Sequence, residues 1–282
     1  MSATSQPLHA VAGVDFTSRP TRRKPITVAL GRLDAHVVRL ERVQAHADFD
    51  GFAAWLRTPG PWIAAIDMPF GLPRELVTVL GWPTDWLPLM RHYASLSREQ
   101  IRTQFAAFCD ARPDGGKFAH RACDAPAGSS PSMKWVNPPV AYMLHAGVPL
   151  LIDAGVHLPA VHEGDRERVA LEAYPGLLAR EVLGRRSYKS DEKARQTADR
   201  LIARKDLIEA LEQGRTRLGL RLRLSHAQRD DLVADASADR LDAVLCMMQA
   251  AWAAGQPQHG VPLDVDPLEG WITSALSMKR AT

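Results

Sequence analysis

Along the first 70 residues the apolar positions come in two rhythms. HAVAGVDF (His9 to Phe16) and the core of PWIAAIDMP are nearly unbroken apolar runs, the pattern of buried strands. Between them lie ITVALGRL (Ile26 to Leu33) and AHVVRLERV (Ala35 to Val43). The second alternates apolar and polar, and the connection around Gly31 to Asp34 is short enough to predict a hairpin or meander. DFDGFAAWLRT, with an N-cap at Asp48 or Asp50, predicts a short helix. The order is therefore strand, strand, strand, helix, strand.

From Gly71 to about Gly164 the rhythm is irregular. Helical pieces follow Pro73 and span Arg98 to Ala111, before a loop rich in Gly, Pro and Ser. Residues 73–165 are expected to form a largely helical insertion or lid within a single domain covering 1–282. RVALEAYP (Arg168 to Pro175) restores strand character, and GLLAREVLG predicts a helical turn. DEKARQTADRLIARKDLIEALEQG follows as one or two helices, its apolar positions Leu201, Ile202, Leu207, Ile208 and Leu211 at helical spacing. The last strong element, ASADRLDAVLCMMQAAWAAG, is apolar almost all round from Leu241 to Ala254 and predicts a buried helix, capped by Asp235 or Ser237 and ended by Gly255.

At 46% hydrophobic and 24% charged over 282 residues, the composition is that of a globular protein with a sizeable core. The first residues lack a basic-then-apolar leader pattern, and no stretch reaches the roughly 18 apolar residues of a membrane span. A cytoplasmic protein without a membrane partner is the expectation. Cys109, Cys123 and Cys246 are too few and too scattered for a disulfide framework or a thiolate zinc site. The net charge of +3 hides an asymmetry: Arg180 to Arg229 holds 14 Lys/Arg against 7 Asp/Glu, leaving 21 against 25 elsewhere. That basic segment is either a solvated helical face or a surface for a polyanion such as nucleic acid.

The candidate chemistry is acidic. Asp15 ends the first strand, Asp67 ends the fourth, Glu172 lies near the end of the late strand, and Asp239 and Asp242 open the buried helix. Ligand sites of α/β sheets gather at the carboxyl ends of strands, so Asp15 and Asp67 on neighbouring parallel strands would face one edge, with Asp242 brought in by the helix. Clustered carboxylates repel unless a cation neutralises them. Hard oxygen donors suit Mg²⁺ or Mn²⁺, which activate water and stabilise a leaving oxygen in phosphodiester hydrolysis. Each acid also has a plainer use: Asp15 and Asp67 as turn caps, Asp239 at the positive end of its helix dipole, Glu172 paired with Arg168 or Arg180.

The strand order and acid positions resemble the RNase H-like fold of RuvC-type resolvases. More closely, "GVDFTS", "IDMPFGLP", "LEAYPG", "SYKS", "DRLDAVLCMMQAAWA" and "EGWI" resemble an uncharacterised bacterial family of predicted nucleases with that fold. The resemblance implies an α/β, RNase H-like fold with a mixed five-stranded sheet in the order 3-2-1-4-5, flanked by helices. It implies catalytic roles for Asp15, Asp67, Asp239 and Asp242, with Glu172 a position characteristic of the narrower family. Asp15, Asp67 and Asp242 would hold Mg²⁺ or Mn²⁺.

Toward a nucleic-acid substrate, DNA or RNA, Lys189 in SYKS is placed to steady a phosphate. The Arg19, Arg22, Arg23 and Lys24 loop follows Asp15 and would contact a backbone. Lys117, His120, Arg121, Lys134 and Trp135 in the insertion interleave cations with an aromatic, as single-strand binders do, although Trp135, Tyr142 and Met143 equally suit a small core of the insertion. A metal-dependent nuclease is the leading expectation. The alternatives are a nucleic-acid-binding module of the same fold without turnover, and a phosphotransferase of the sugar-kinase and actin-like superfamily. Against the latter, Asp15-Phe16-Thr17-Ser18 lacks the glycine of that superfamily's phosphate loop.

Overall fold

The computed structural model describes residues 9–113 and 116–275. Strands β1 (His9–Asp15), β2 (Ile26–Asp34) and β3 (Val37–His46) form the antiparallel meander, and after α1 (Phe49–Leu56) strand β4 (Trp62–Ile66) returns parallel to β1. Asp48 is the cap of α1, its carboxylate accepting the Gly51 amide at 2.8 Å. Then come α2 (Arg74–Val79), α3 (Trp86–Ser95), α4 (Arg98–Asp110), α5 (Asp124–Ala127) and α6 (Val140–Ala154). The chain continues through β5 (Val156–His157), β6 (Asp165–Glu172), α7 (Pro175–Leu183), α8 (Ala198–Glu212), β7 (Arg221–Arg223), α9 (His226–Ala234) and α10 (Asp239–Ala254). No helix among the described residues is long and apolar enough to cross a membrane.

The fold is α/β with a mixed sheet, but the sheet has seven strands in the order β5-β6-β4-β1-β2-β3-β7, not five in the order 3-2-1-4-5. The two extra strands are edge pieces of two and three residues, β5 beside β6 and β7 beside β3. Runs so short carry no period for a sequence pattern to reveal.

Alternation along each strand sends successive side chains to opposite faces. Ala12, Val14, Ala64, Ile66 and Ala170 join a core with α1 and the helices of the 73–165 segment. Val11, Ala65, Val169 and Leu171 join a second core with α7, α8 and α10. The segment expected as an insertion or lid packs with α1 on one face of the sheet, its Leu76, Leu89, Phe105 and Leu144 continuous with the sheet's own apolar face. Within α8 the buried stripe is Ala203, Leu207, Ile208 and Leu211, whereas Leu201 and Ile202 are exposed on its first turn.

Helix α10 is buried over most of its length, as its composition predicts, and its backbone rests directly on β1 at Gly13. Its N-cap is Ala238, in the left-handed region at φ 59°, not Asp235 or Ser237. Asp235 still does part of a cap's work: its carboxylate accepts the Arg240 amide at 3.1 Å. Cys109, Cys123 and Cys246 are buried free thiols.

Candidate functional site

Parallel pairing matches Val14 with Ile66, and the ladder runs one step further, the Asp67 amide donating to the Val14 carbonyl at 2.9 Å. Asp15 and Asp67 are thus neighbours at the carboxyl ends of adjacent strands. Counting by twos from Val11 and Ala65, both fall on the α10 face. The first turn of α10 presents Asp242 there, fully buried. Local sequence drives this: apolar runs fix the strands, and "MPFG" turns the chain away directly after Asp67.

Asp242 is engaged at both oxygens. The Tyr188 hydroxyl donates to Oδ1 at 2.6 Å and the Lys189 ammonium pairs with Oδ2. Arg204 of α8 steadies that loop by donating to the Tyr188 carbonyl at 2.8 Å and the Val233 carbonyl at 2.8 Å. A second lysine repeats the arrangement one turn earlier: Lys24, from the basic loop after β1, donates to Asp239 at 2.6 Å and to Asp191 at 3.1 Å. Each acid at the start of α10 therefore has a lysine of its own. No side-chain ion pair reaches the Asp15 or Asp67 carboxylate among the described residues, and both are half-buried.

Glu172 stands apart, because alternation sends it with Ala170 to the opposite face. There Arg121, itself buried, grips it with two bonds, Nη2 to Oε1 at 2.6 Å and Nη1 to Oε2 at 2.8 Å. The Phe70 amide adds a third at 2.9 Å. Arg121 also bonds Asp124 at 3.0 Å and the Glu269 carbonyl at 2.9 Å, and the Glu269 carboxylate accepts the Arg74 and Ala122 amides. This network ties the helical layer to the sheet edge. Glu172 and Arg121, predicted as a catalytic acid and a substrate contact, are placed as each other's partners.

Burial is the largest influence on the acids. It pushes Asp15 well above the ordinary carboxylate range, with repulsion from Asp242, Asp239 and Asp67 adding to it and Lys189 opposing. Burial likewise raises Asp67 to about 7, against Lys189 and with Asp242 and Glu172. Asp239 is raised by burial despite Lys24. Burial opposes the charge of Lys189, but Asp242, Tyr188 and Asp15 outweigh it and hold the ammonium well above its usual value.

Two recesses flank this group. One of about 300 Å³ lies between the Asp67–Pro69 turn and the helical layer, with Lys189 and Tyr174 on its wall. A concavity of about 630 Å³ lies on the other flank and is lined by Arg22, Arg23, Arg42, Asp239 and Arg240 among others. Another of about 500 Å³, between α1 and the β1–β3 meander, contains none of the acids. Arg19 and Arg22 are exposed on the loop after β1, and the Ser18 carbonyl of that loop accepts from Arg98 of α4 at 2.8 Å. Lys117 is exposed with no ion pair among the described residues. Trp135 packs on Phe105 and Phe118 inside the helical layer, so the aromatic is core.

For a divalent cation the donor chemistry is right, three hard carboxylates with mutual repulsion to be relieved. The arrangement is not: among the described residues no group of three or more His, Cys, Asp or Glu side chains is disposed to hold a metal ion. Tyr188 and Lys189 occupy the oxygens of Asp242 that a cation would need. Tyr188 and Lys24 had no sequence signal as partners of these acids, since both pairings join segments far apart in the chain. Compared with known proteins, the chain matches no family model, no curated protein and no solved structure.

Proposed function

We propose that this chain is an RNase H-like phosphodiester hydrolase acting on nucleic acid, with Asp15, Asp67 and Asp242 as its reacting centre. The observation that carries the reading is the convergence of Asp15 and Asp67, at the ends of adjacent parallel strands, on Asp242 of α10, with Lys189 among them. In hydrolysis a water oxygen attacks phosphorus, the ester P–O bond breaks, and the water's proton is taken up while the leaving oxygen is protonated. Asp67, half-protonated near pH 7, is suited to take a proton at neutral pH. Lys189 supplies positive charge toward a phosphate, as positioned cations do in phosphoryl transfer. As they stand the three aspartates are not disposed to hold Mg²⁺ or Mn²⁺, and such an ion could relieve their charge only once Asp242 is freed. Lys189 would first have to leave Asp242.

That last requirement favours a second reading, a module of the same fold that binds nucleic acid without cutting it. Wild type and Asp15→Asn, assayed on single-stranded, duplex and branched DNA and RNA with each cation, distinguish them. Cleavage by wild type, reduced at least about a hundredfold in Asp15→Asn, is the expected result. Salt-dependent binding with no cleavage under either cation would select the second reading.

A further inference from the structure

The 300 Å³ recess beside Asp67 differs in character from the acid group it adjoins. Met68, Pro69, Val140, Met143 and Ile272 make most of its wall apolar, Ser129 and Ser130 add hydroxyls, and the mutually paired Arg121 and Glu172 also line it. A smaller recess, about 230 Å³, lies against α7 and carries Arg180 and Arg186. Asp67, Tyr174 and Lys189 line both. These three residues therefore form a ridge between one apolar recess and one cationic recess.

The pair matches successive parts of a nucleotide chain. A largely apolar cavity with a few polar atoms, near the lower end of ligand-pocket volumes, suits a flat heterocycle with hydrogen-bonding edges. The cationic recess suits a phosphate. Arg186 is half-exposed and pairs with Asp206 at 2.7 Å, while Arg180 lies 5.2 Å over the Tyr174 ring and donates to the Ala127 carbonyl. A guanidinium has five N–H donors, so both retain donors for an anion. A base can enter so small a recess only when it is out of a helical stack.

We propose that the apolar recess receives one unstacked base, that the following phosphodiester crosses the Asp67–Lys189 ridge, and that the substrate is accordingly single-stranded. This rests on the reading that a phosphodiester is bound at Asp67 and Lys189. A duplex would meet the ridge with its bases still stacked and leave the recess empty.

The test is a fluorescence titration with a phosphorothioate-linked dinucleotide bearing 2-aminopurine, in Mg²⁺ and in EDTA, comparing the tighter condition of each pair. Binding should be at least about tenfold tighter than for the same base inside a hairpin duplex, and Val140→Trp and Ser130→Trp, which fill the recess from half-buried positions, should each weaken it about tenfold. Circular dichroism and thermal melting establish that both variants fold. Equal affinity for duplex and dinucleotide, unchanged affinity in both folded variants, or equal competition by base-free ribose 5-phosphate would overturn the proposal. Cleavage is scored separately on unmodified strands. Selective dinucleotide binding with no cleavage leaves the recess assignment standing and removes the hydrolase reading, whereas equal cleavage of duplex and single strand by wild type and both variants does the reverse.

Discussion

Gly13 and Ala243 meet backbone to backbone: a Cβ on Gly13 would stand 2.1 Å from the Ala243 carbonyl oxygen and 2.0 Å from the Met247 nitrogen. Gly13 is two residues before Asp15, and Ala243 is one after Asp242. The contact that seats α10 on β1 therefore also sets how closely those acids approach. Because both opposing atoms belong to a helix backbone, neither can swing aside. Gly13→Ala should cost at least about 3 kcal/mol in chemical denaturation. Gly116→Ala, where the nearest atom to a new Cβ is 3.9 Å away, should stay within about 0.5 kcal/mol of wild type.

Removing the ammonium on Asp242 should make a competing cation more welcome. Lys189→Gln is expected to bind Mn²⁺ about tenfold more tightly than wild type by calorimetry, a gain of about 1.4 kcal/mol. If hydrolysis is the function, the same variant should lose roughly a hundredfold in turnover, since charge toward the phosphate is gone. Affinity unchanged by the substitution would mean that Lys189 does not compete with the ion.

The acid group sets a pH dependence whose sign follows from Asp67. Its carboxyl holds a proton up to about pH 7 in the folded chain, against an ordinary value of 3.8. Between those values the folded state binds more protons than the unfolded state, so this contribution to stability falls as pH rises from about 4 to about 7. Asp67→Asn should match wild type at pH 4 and exceed it at pH 8 by roughly 1 kcal/mol after allowance for cleft water, or about 2 to 4 °C in Tm. Thermal melts at the two pH values check both arms.

Arg121 tests the other face. Arg121→Ala would leave Glu172 and Asp124 buried without their cation, costing about 3 to 5 kcal/mol. Arg121→Lys keeps the charge but not the fork that spans two carboxylates and the Glu269 carbonyl, and should recover only part of the loss. A variant with near-wild-type stability and weakened nucleic-acid binding would instead return Arg121 to the role of a surface substrate contact.

Much of this architecture was legible because it is written in apolar runs. Five strands, three of them the meander, and the buried final helix each occupy a stretch long enough to show its period, and the acids stand out because they interrupt or end those stretches. What stayed hidden depends on faces and distant partners. RVALE is apolar on both sides of its strand, so nothing local assigns Glu172 to the face of Arg121 and not to that of Asp67. Arg121 sits in a Gly-, Pro- and Ser-rich segment that reads as exposed loop, yet it is buried by a C-terminal stretch nearly 150 residues further on. Leu201 and Ile202 keep helical spacing but lie on a turn that nothing covers, a fact that belongs to packing and not to period.

The order in which the site is assembled has a consequence for synthesis. β4 ends at Ile66 and its parallel partner β6 begins at Asp165, so one side of the ridge waits for the whole intervening layer. Asp242 arrives later still, behind the loop that carries Lys189. Pairings separated this widely in sequence close slowly, after much chain entropy has been lost. A nascent chain leaving the ribosome therefore exposes Asp15 and Asp67 without their counterpart, and the three acids are brought together only once α10 has emerged and settled on Gly13.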